Sequence, residues 1–367
     1  MAGNDQAHMA RALELARKGI YSTHPNPRVG CVIVRDGQVV GEGWHVRAGE
    51  PHAEVHALRQ AGELARGATA YVTLEPCSHH GRTPPCADAL VAAGVGRVVA
   101  AMQDPNPQVA GRGLKRLADA GIAVESGVLE AEARALNAGF IKRMEQGLPF
   151  VRVKLAMSLD GRTAMASGES QWITGPEARA AVQRLRARAS VVLTGADTVL
   201  TDAARLTVRP DELGLDPELT ALAVSRPPLR VLVDGRLRVP VSAPFFQAGP
   251  ALVATVTDGA PYPGHEWLAL PGADGRVDLR RLLLELAARG ANEVLVEAGP
   301  RLAGAFARAG LVDEYQIFIA AKFLGSSARP LLDWPLERMA EAQELKIVEM
   351  RAVGDDWRVI AVPRVTA

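Results

Sequence analysis

Apolar positions in the first half of the chain switch repeatedly between two periods. Over residues 5–18, Met9, Ala12, Leu13 and Ala16 recur at helical spacing. VGCVIVR (29–35) and QVVGEGW (38–44) read as strands, and the Asp36-Gly37 pair between them predicts a tight hairpin. EVHALRQA (54–61) predicts a helix, ATAYVTL (68–74) a strand, and CADALVAAG (86–94) a helix that stops at Gly94. RVVAAM (97–102) and IAVESG (122–127) read as strands around a helix at GLKRLADAG (113–121). EAEARALNAGFIKRM (130–144) then reads as one helix. A hairpin followed by repeated helix–strand units predicts one sheet covered by helices on both faces.

The pattern breaks at EQGLPF (145–150), where Gly147 and Pro149 stop the helix. We expect a domain boundary here, giving domains 1–147 and 148–367. The second half opens with a strand, FVRVKLAMS (150–158). Further strands are expected at 190–195, 229–235, 251–256, 292–299 and 314–321. Helices are expected at 176–188, 279–289 and 301–309. Residues 210–228, rich in Pro, Asp and Glu, read as an exposed insertion.

Composition narrows the function class. The chain has 367 residues, 48% of them apolar and 23% charged, which suits a two-domain soluble protein. Up to residue 147 there are 16 basic against 15 acidic residues, and 26 against 26 after it. Neither half has the basic excess of a nucleic-acid binder. The three cysteines are too few and too odd in number for a disulfide framework, so a reducing, cytoplasmic setting is expected. No apolar run approaches the roughly 20 residues of a spanning helix, and the first residues lack the apolar stretch of a secretion signal.

The densest chemistry lies in LEPCSHHGRTPPC (74–86). Cys77 closes a predicted strand and Cys86 opens a predicted helix. Two thiolates make a poor zinc site without a third ligand. One is available in EPHAEVHA (50–57), where His52 precedes Glu54 by two residues. The result is H-x-E … P-C … C, the signature of zinc deaminases. A His/Cys/Cys set leaves one tetrahedral position open. Such a site brings the pKa of water from 15.7 to roughly 7, ready to attack a ring carbon that carries an amino group. Glu54 is then the proton carrier, not a ligand. Helix rotation of about 100° per residue requires His52 and Glu54 to lie at the first turn, and Pro51 suits that start.

Other readings of the stretch are a Cys77–Cys86 disulfide, two inert thiols in a Pro-rich turn, or His79 or His80 replacing His52. A structural zinc knuckle would want four protein ligands. Cys31, mid-strand, reads as a buried apolar side chain.

Eight residues separate Cys77 from Cys86, where common nucleic-acid and cytidine deaminases have two. With THPNPRVGCVIV (23–34) and PHAEVHA (51–57), this longer loop resembles the bifunctional riboflavin-biosynthesis deaminase–reductase family. KLAMSLDGRTA (154–164), SGESQWITG (167–175) and VEAGPRLAG (296–304) extend the resemblance over the second half. It implies a cytidine-deaminase-like three-layer α/β/α domain followed by a dihydrofolate-reductase-like α/β domain. The implied cofactors are one zinc ion and NADPH. The implied substrate is a small pyrimidine ribonucleotide, 2,5-diamino-6-(5-phosphoribosylamino)pyrimidin-4-one. Its deamination gives 5-amino-6-(5-phosphoribosylamino)uracil, whose ribosyl group is then reduced to ribityl. A homo-oligomer formed through the reductase domain is also expected.

The resemblance assigns residues as well. Asn26, in the Pro25-Asn26-Pro27 loop, should hydrogen-bond the pyrimidine, with His45 and the Arg82 region lining the same pocket. DPNPQVAGRG (104–113) reads equally as a substrate-proximal loop or a structural turn. NADPH should lie against Ala156, Trp172, Thr198 and Asp202. The turn Gly299, Pro300, Arg301, Leu302, Ala303, Gly304, Ala305 should hold its phosphates. No G-x-G-x-x-G follows a strand, so a Rossmann domain is not supported; the Gly299-Pro300 strand-to-helix turn offers backbone amides instead. Substrate should meet Lys154, Ser170, Arg186, Leu206, Arg209 and Glu297. Arg186 and Arg209 would grip the sugar phosphate. Two rivals remain at this stage: a deaminase of tRNA or single-stranded nucleic acid, and a non-enzymatic zinc-stabilised nucleotide-binding module.

Overall fold

The structure is a computed structural model and describes residues 2–78, 85–107, 109–259 and 262–364. The chain divides into two compact units, Met1–Leu148 and Pro149–Ala367.

The first unit begins with α1 (Ala2–Arg17), then the hairpin β1 (Gly30–Arg35) and β2 (Gln38–Trp44). Asp36 and Gly37 both adopt positive φ, 49° and 78°, as a primed turn requires. After these come α2 (Ala53–Ala61), β3 (Thr69–Val72), α3 (Cys86–Ala92), β4 (Arg97–Ala100), α4 (Arg112–Asp119) and β5 (Ala123–Ser126). Two short helices, α5 (Glu130–Leu136) and α6 (Ala138–Gln146), end the unit. The strands form one sheet in the order β2-β1-β3-β4-β5, antiparallel at β2-β1-β3 and parallel beyond.

Strand alternation sorts the core into two layers. Cys31 and Ile33 of β1 pack with Ala53 and Ala57 of α2, Leu90 of α3 and Leu117 of α4. Val32 and Val34 face the other way, onto Met9 and Leu13 of α1 and Phe140 of α6. This is the expected three-layer α/β/α arrangement, with Cys31 wholly buried. Helix α2 lies directly on β2, because Gly41 and Gly43 carry no side chain there. A Cβ at either would come within 2.2 Å of the carbonyl oxygen of Ala57 or Ala53.

One expected helix is two. Asn137 interrupts 130–144, because its side chain is drawn to the backbone of Arg28: Nδ2 donates to the Arg28 carbonyl at 2.9 Å, and Oδ1 accepts the Arg28 amide at 2.8 Å.

The second unit runs β6 (Phe150–Ser158), β7 (Arg162–Ala164), α7 (Pro176–Arg188), β8 (Val191–Gly195), α8 (Ala196–Asp202) and α9 (Pro217–Val224). It continues through β9 (Leu229–Val233), α10 (Pro244–Gln247), β10 (Ala251–Thr255), β11 (Glu266–Ala269), α11 (Leu279–Ala288) and β12 (Glu293–Glu297). It closes with α12 (Pro300–Arg308), β13 (Glu314–Ala320), β14 (Arg329–Pro330), β15 (Leu345–Val353) and β16 (Asp356–Pro363). Nine strands form one sheet, β11-β10-β9-β8-β12-β6-β13-β16-β15. It is parallel from β11 to β13, with β16 and β15 added antiparallel. The interior strands β10 and β12 are buried along their whole length, as parallel strands covered on both faces should be.

Residues 210–228 are not a bare insertion. They include α9, which packs on α7, and they bury Leu213 and Ala223 completely. Among the described residues no helix is long and apolar enough to cross a membrane.

Candidate active sites

In the first unit, the residue types singled out from the sequence converge. His52 caps the start of α2 with an extended backbone (φ −77°, ψ 169°), and Glu54 sits in the first turn. Cys77 follows the end of β3, and Cys86 is the first residue of α3. His52 Nδ1 lies 3.6 Å from Cys77 Sγ and 3.3 Å from Cys86 Sγ. One ligand atom from each residue falls within 4.8 Å of the others. A tetrahedral zinc with bonds of about 2.3 Å to sulfur and 2.0–2.1 Å to nitrogen asks for N···S separations of about 3.6 Å. The donor set therefore fits zinc in chemistry and in spacing, with one position left over.

Hydrogen bonding tunes this cluster. The Cys86 thiol beside Cys77 draws the Cys77 sulfur well below the usual thiol range, and His52 adds to the effect. The backbone N–H of Cys86 also donates to that sulfur at 3.3 Å. Glu54 is only 3% exposed, and its Oε2 has no partner among the described residues. Burial pushes its carboxyl up to about 6. An orphaned carboxylate oxygen in a buried site calls for a ligand.

Asn26 and His45 sit beside the cluster. His45 Nδ1 lies 3.2 Å from the Pro51 carbonyl, which can only accept, so Nδ1 carries the proton. Burial, with His52 alongside, pushes His45 down to about 4, so the ring is neutral and Nε2 is an acceptor. Asn26 Nδ2, 3.1 Å away, then donates to Nε2 and leaves its Oδ1 for another donor. The His45 and His52 rings meet edge to face, with centroids 5.1 Å apart. Arg82, His79 and His80 lie outside the described residues.

In the second unit a cleft of about 2470 Å³ opens along the carboxyl ends of β6, β8, β9 and β12. That edge is where parallel sheets bind ligands, and the volume exceeds the roughly 300–1,000 Å³ of a single small-molecule pocket. Lys154, Ala156, Ser170, Trp172, Thr198, Asp202, Leu206 and Arg209 all line it, as do Arg186, Glu297 and the Gly299–Leu302 turn with Ala305. Ala303 and Gly304 do not. Helix α12 turns them to its packed side, where Ala303 is fully buried and a Cβ on Gly304 would reach within 2.6 Å of the Asp333 carbonyl.

Hydrogen bonds knit the cleft floor. Thr198 Oγ1 accepts the Gly299 amide at 3.2 Å, and Ser170 Oγ donates to Asp202 at 3.0 Å. Arg186 grips Glu297 through two bonds of 2.6 and 2.9 Å, and its third nitrogen donates to the Thr207 carbonyl at 3.0 Å. The fork expected to meet a phosphate therefore holds a carboxylate instead. Burial works to raise the Glu297 carboxyl, yet Arg186 and Lys154 hold it below the usual range. Burial likewise lowers the Lys154 ammonium, with Glu297 opposing it. Arg209 is half exposed and pairs with Glu212 at 2.6 Å.

Trp172 is 60% exposed, and the Arg179 guanidinium stacks 4.6 Å from its ring centroid. Sequence reasoning missed Arg179, because nothing in the periodicity marks an arginine that supports an aromatic platform across a loop.

Comparison with known proteins agrees with these two sites. The family described as "Cytidine and deoxycytidylate deaminase zinc-binding region" matches residues 2–102, and "RibD C-terminal domain" matches 149–359. The riboflavin biosynthesis protein RibD of Escherichia coli is 57% identical over 96% of this chain and 97% of its own length. That of Haemophilus influenzae is 49% identical over 99% and 98%. The solved structure of Acinetobacter baumannii RibD superposes with a TM-score of 0.91, at 47% identity and full coverage of both chains. The Thermotoga maritima structure, titled a diaminohydroxyphosphoribosylaminopyrimidine deaminase and 5-amino-6-(5-phosphoribosylamino)uracil reductase, gives 0.86 at 34% identity over 99% of each chain. With a zinc-binding deaminase unit and an NADPH-dependent reductase unit on one polypeptide, the chain belongs to the RibD family of bifunctional riboflavin-biosynthesis enzymes.

Proposed function

We propose that residues 1–147 remove the 2-amino group of 2,5-diamino-6-(5-phosphoribosylamino)pyrimidin-4-one by hydrolysis. Residues 148–367 then reduce the ribosyl group of the product with NADPH. The observation that carries the first half is the cluster itself: one imidazole and two sulfurs within reach of one ion, beside a buried carboxylate oxygen without a partner.

His52, Cys77 and Cys86 would hold the zinc. When bound, zinc supplies the Lewis acidity that makes water a nucleophile near neutral pH. Glu54 takes the proton from the attacking water at Oε2 and returns it to the departing amine. Its carboxyl, raised by burial, is matched to both halves of that transfer. Asn26 Oδ1 accepts from the pyrimidine, and the neutral His45 fixes the Asn26 amide in that sense.

In the second unit NADPH lies against Ala156, Trp172, Thr198, Asp202 and the Gly299–Leu302 turn with Ala305, and substrate meets Lys154, Ser170, Leu206 and Arg209. NADPH, when bound, supplies the hydride. Arg209, at the open side of the cleft, is the phosphate partner, while Arg186 orients Glu297 toward the ribosyl hydroxyls.

Substrate is a small nucleotide and not a nucleic acid, consistent with near-zero charge in both halves. The absence of a disulfide among Cys31, Cys77 and Cys86 is in keeping with a cytoplasmic setting. Assembly into a homo-oligomer runs through the second unit. There the edge strand β15 exposes Ile347 and Val348, each 60%, with Met350 beside them. Ile347→Lys should shift sedimentation toward the monomer.

Cys77→Ser and Glu54→Gln test the deaminase reading. The first should lose zinc and ammonia release together, and the second ammonia release alone. Both should keep NADPH oxidation on the deaminated intermediate. Wild-type ammonia release by Glu54→Gln would remove Glu54 from the chemistry.

A further inference from the structure

Two residues before Cys77, Glu75 is 3% exposed and carries a buried carboxylate. Four backbone amides donate to it. Oε2 accepts from Asp104 at 3.1 Å and Gly111 at 2.9 Å, while Oε1 accepts from Gly113 at 2.8 Å and Leu114 at 3.2 Å. Gly111 caps α4, and Gly113 and Leu114 lie in its first turn, so the carboxylate satisfies the open amides of a helix far along the chain. A carboxylate offers acceptors only, which matches four converging donors. The backbone of the next residue closes the seam: a Cβ on Gly113 would fall 1.9 Å from the Pro76 carbonyl.

We propose that Glu75 is a positioning residue for deamination: it seats the start of α4 and Asp104 against the loop after β3 that bears Cys77 and so fixes that ligand. The proposal rests on Cys77 being a zinc ligand. Glutamine cannot replace Glu75 faithfully, because its NH₂ hydrogens would point at amide hydrogens that need an acceptor.

The test uses the full chain with Glu75→Gln, and Gly113→Ala as a second variant that keeps the carboxylate but forces the start of α4 off Pro76. Zinc affinity is measured by competition with a chromogenic chelator, deamination as kcat and KM for ammonia release, and amide hydrogen exchange at residues 104, 111, 113 and 114. NADPH oxidation is the internal control. Both variants should bind zinc about 10–100-fold more weakly and lose a similar factor in kcat, as outer contacts to a metal site do. In Glu75→Gln the four amides should exchange at least about tenfold faster, with β4 amides unchanged and reductase activity intact. Three results would each overturn the proposal. One is zinc affinity and kcat within twofold of wild type in either variant. Another is wild-type exchange at the four amides in Glu75→Gln. The third is loss of protection throughout β1–β4, which would make Glu75 a general stabiliser. Full zinc occupancy in Cys77→Ser would instead sink the underlying ligand assignment, whatever Glu75→Gln does.

Discussion

Replacing Arg186 by Met leaves the Glu297 carboxylate buried with half its support gone. The pair is well enclosed, the two side chains 13% and 9% exposed, and it is joined by two short bonds. At an effective dielectric near 20, opposite charges about 4 Å apart attract by about 4 kcal/mol. Removing one member of such a pair typically costs about 3–5 kcal/mol, because the survivor stays desolvated. For a unit of this size each kcal/mol moves the melting point by about 2–4 °C, so a drop of about 6–20 °C is expected. Four of the five tryptophans, all but Trp44, lie in the second unit, so their fluorescence reports its melting. Glu297 is held below its ordinary value when folded, so the pair's contribution is full above the unfolded carboxyl range and fades as pH falls through the folded value. The gap between variant and wild type should accordingly close in acid. The double variant Arg186→Met with Glu297→Gln should recover part of the loss, since the carboxylate is no longer stranded while Lys154 loses the charge that opposed its burial. A Tm within about 1 °C of wild type at pH 7 in the single variant would refute the reasoning.

Three shorter predictions follow from the same geometry. Stripping zinc with a strong chelator should abolish ammonia release while NADPH oxidation on the deaminated intermediate continues; joint loss would mean the sites share their fold or chemistry. Arg209→Ala should weaken a phosphorylated substrate more than its dephosphorylated analogue, and equal weakening in competition assays would remove the phosphate assignment. The hydrogen bond from Arg97 holds the Asp5 carboxyl at about 2, so Asp5→Asn should destabilise the first unit at pH 7 and converge with wild type in urea melts as pH drops from 4 toward 2.

The parts of this fold that were legible in sequence are those governed by local rules. The Asp36-Gly37 turn and the strand–helix alternation to residue 127 follow from chemistry within a few residues. The zinc cluster was legible because His52 and Cys86 open helices, where a residue's direction can be argued without knowing its neighbours, although Cys77 lies in the loop after β3 and does not close the strand. What escaped depends on partners distant in the chain. The break at Asn137 exists for the backbone of Arg28, more than a hundred positions earlier. Arg186 reads from the sequence as a phosphate ligand, and only the fold brings Glu297, more than a hundred positions away, into its fork. Ala303 and Gly304 share a motif with cleft residues, yet helix rotation turns them inward. The β15–β16 hairpin escaped because β15 is exposed along nearly its whole length and shows no clean alternation.

The bare strand beneath α2 limits how this enzyme can be re-engineered. His52 and Glu54 ride on a helix whose own carbonyls already touch Gly41 and Gly43. Any bulk introduced underneath would lever imidazole and acid away together. Altered pyrimidine tolerance is therefore to be sought around Asn26 and His45, beside the cluster, and not by remodelling the layer behind.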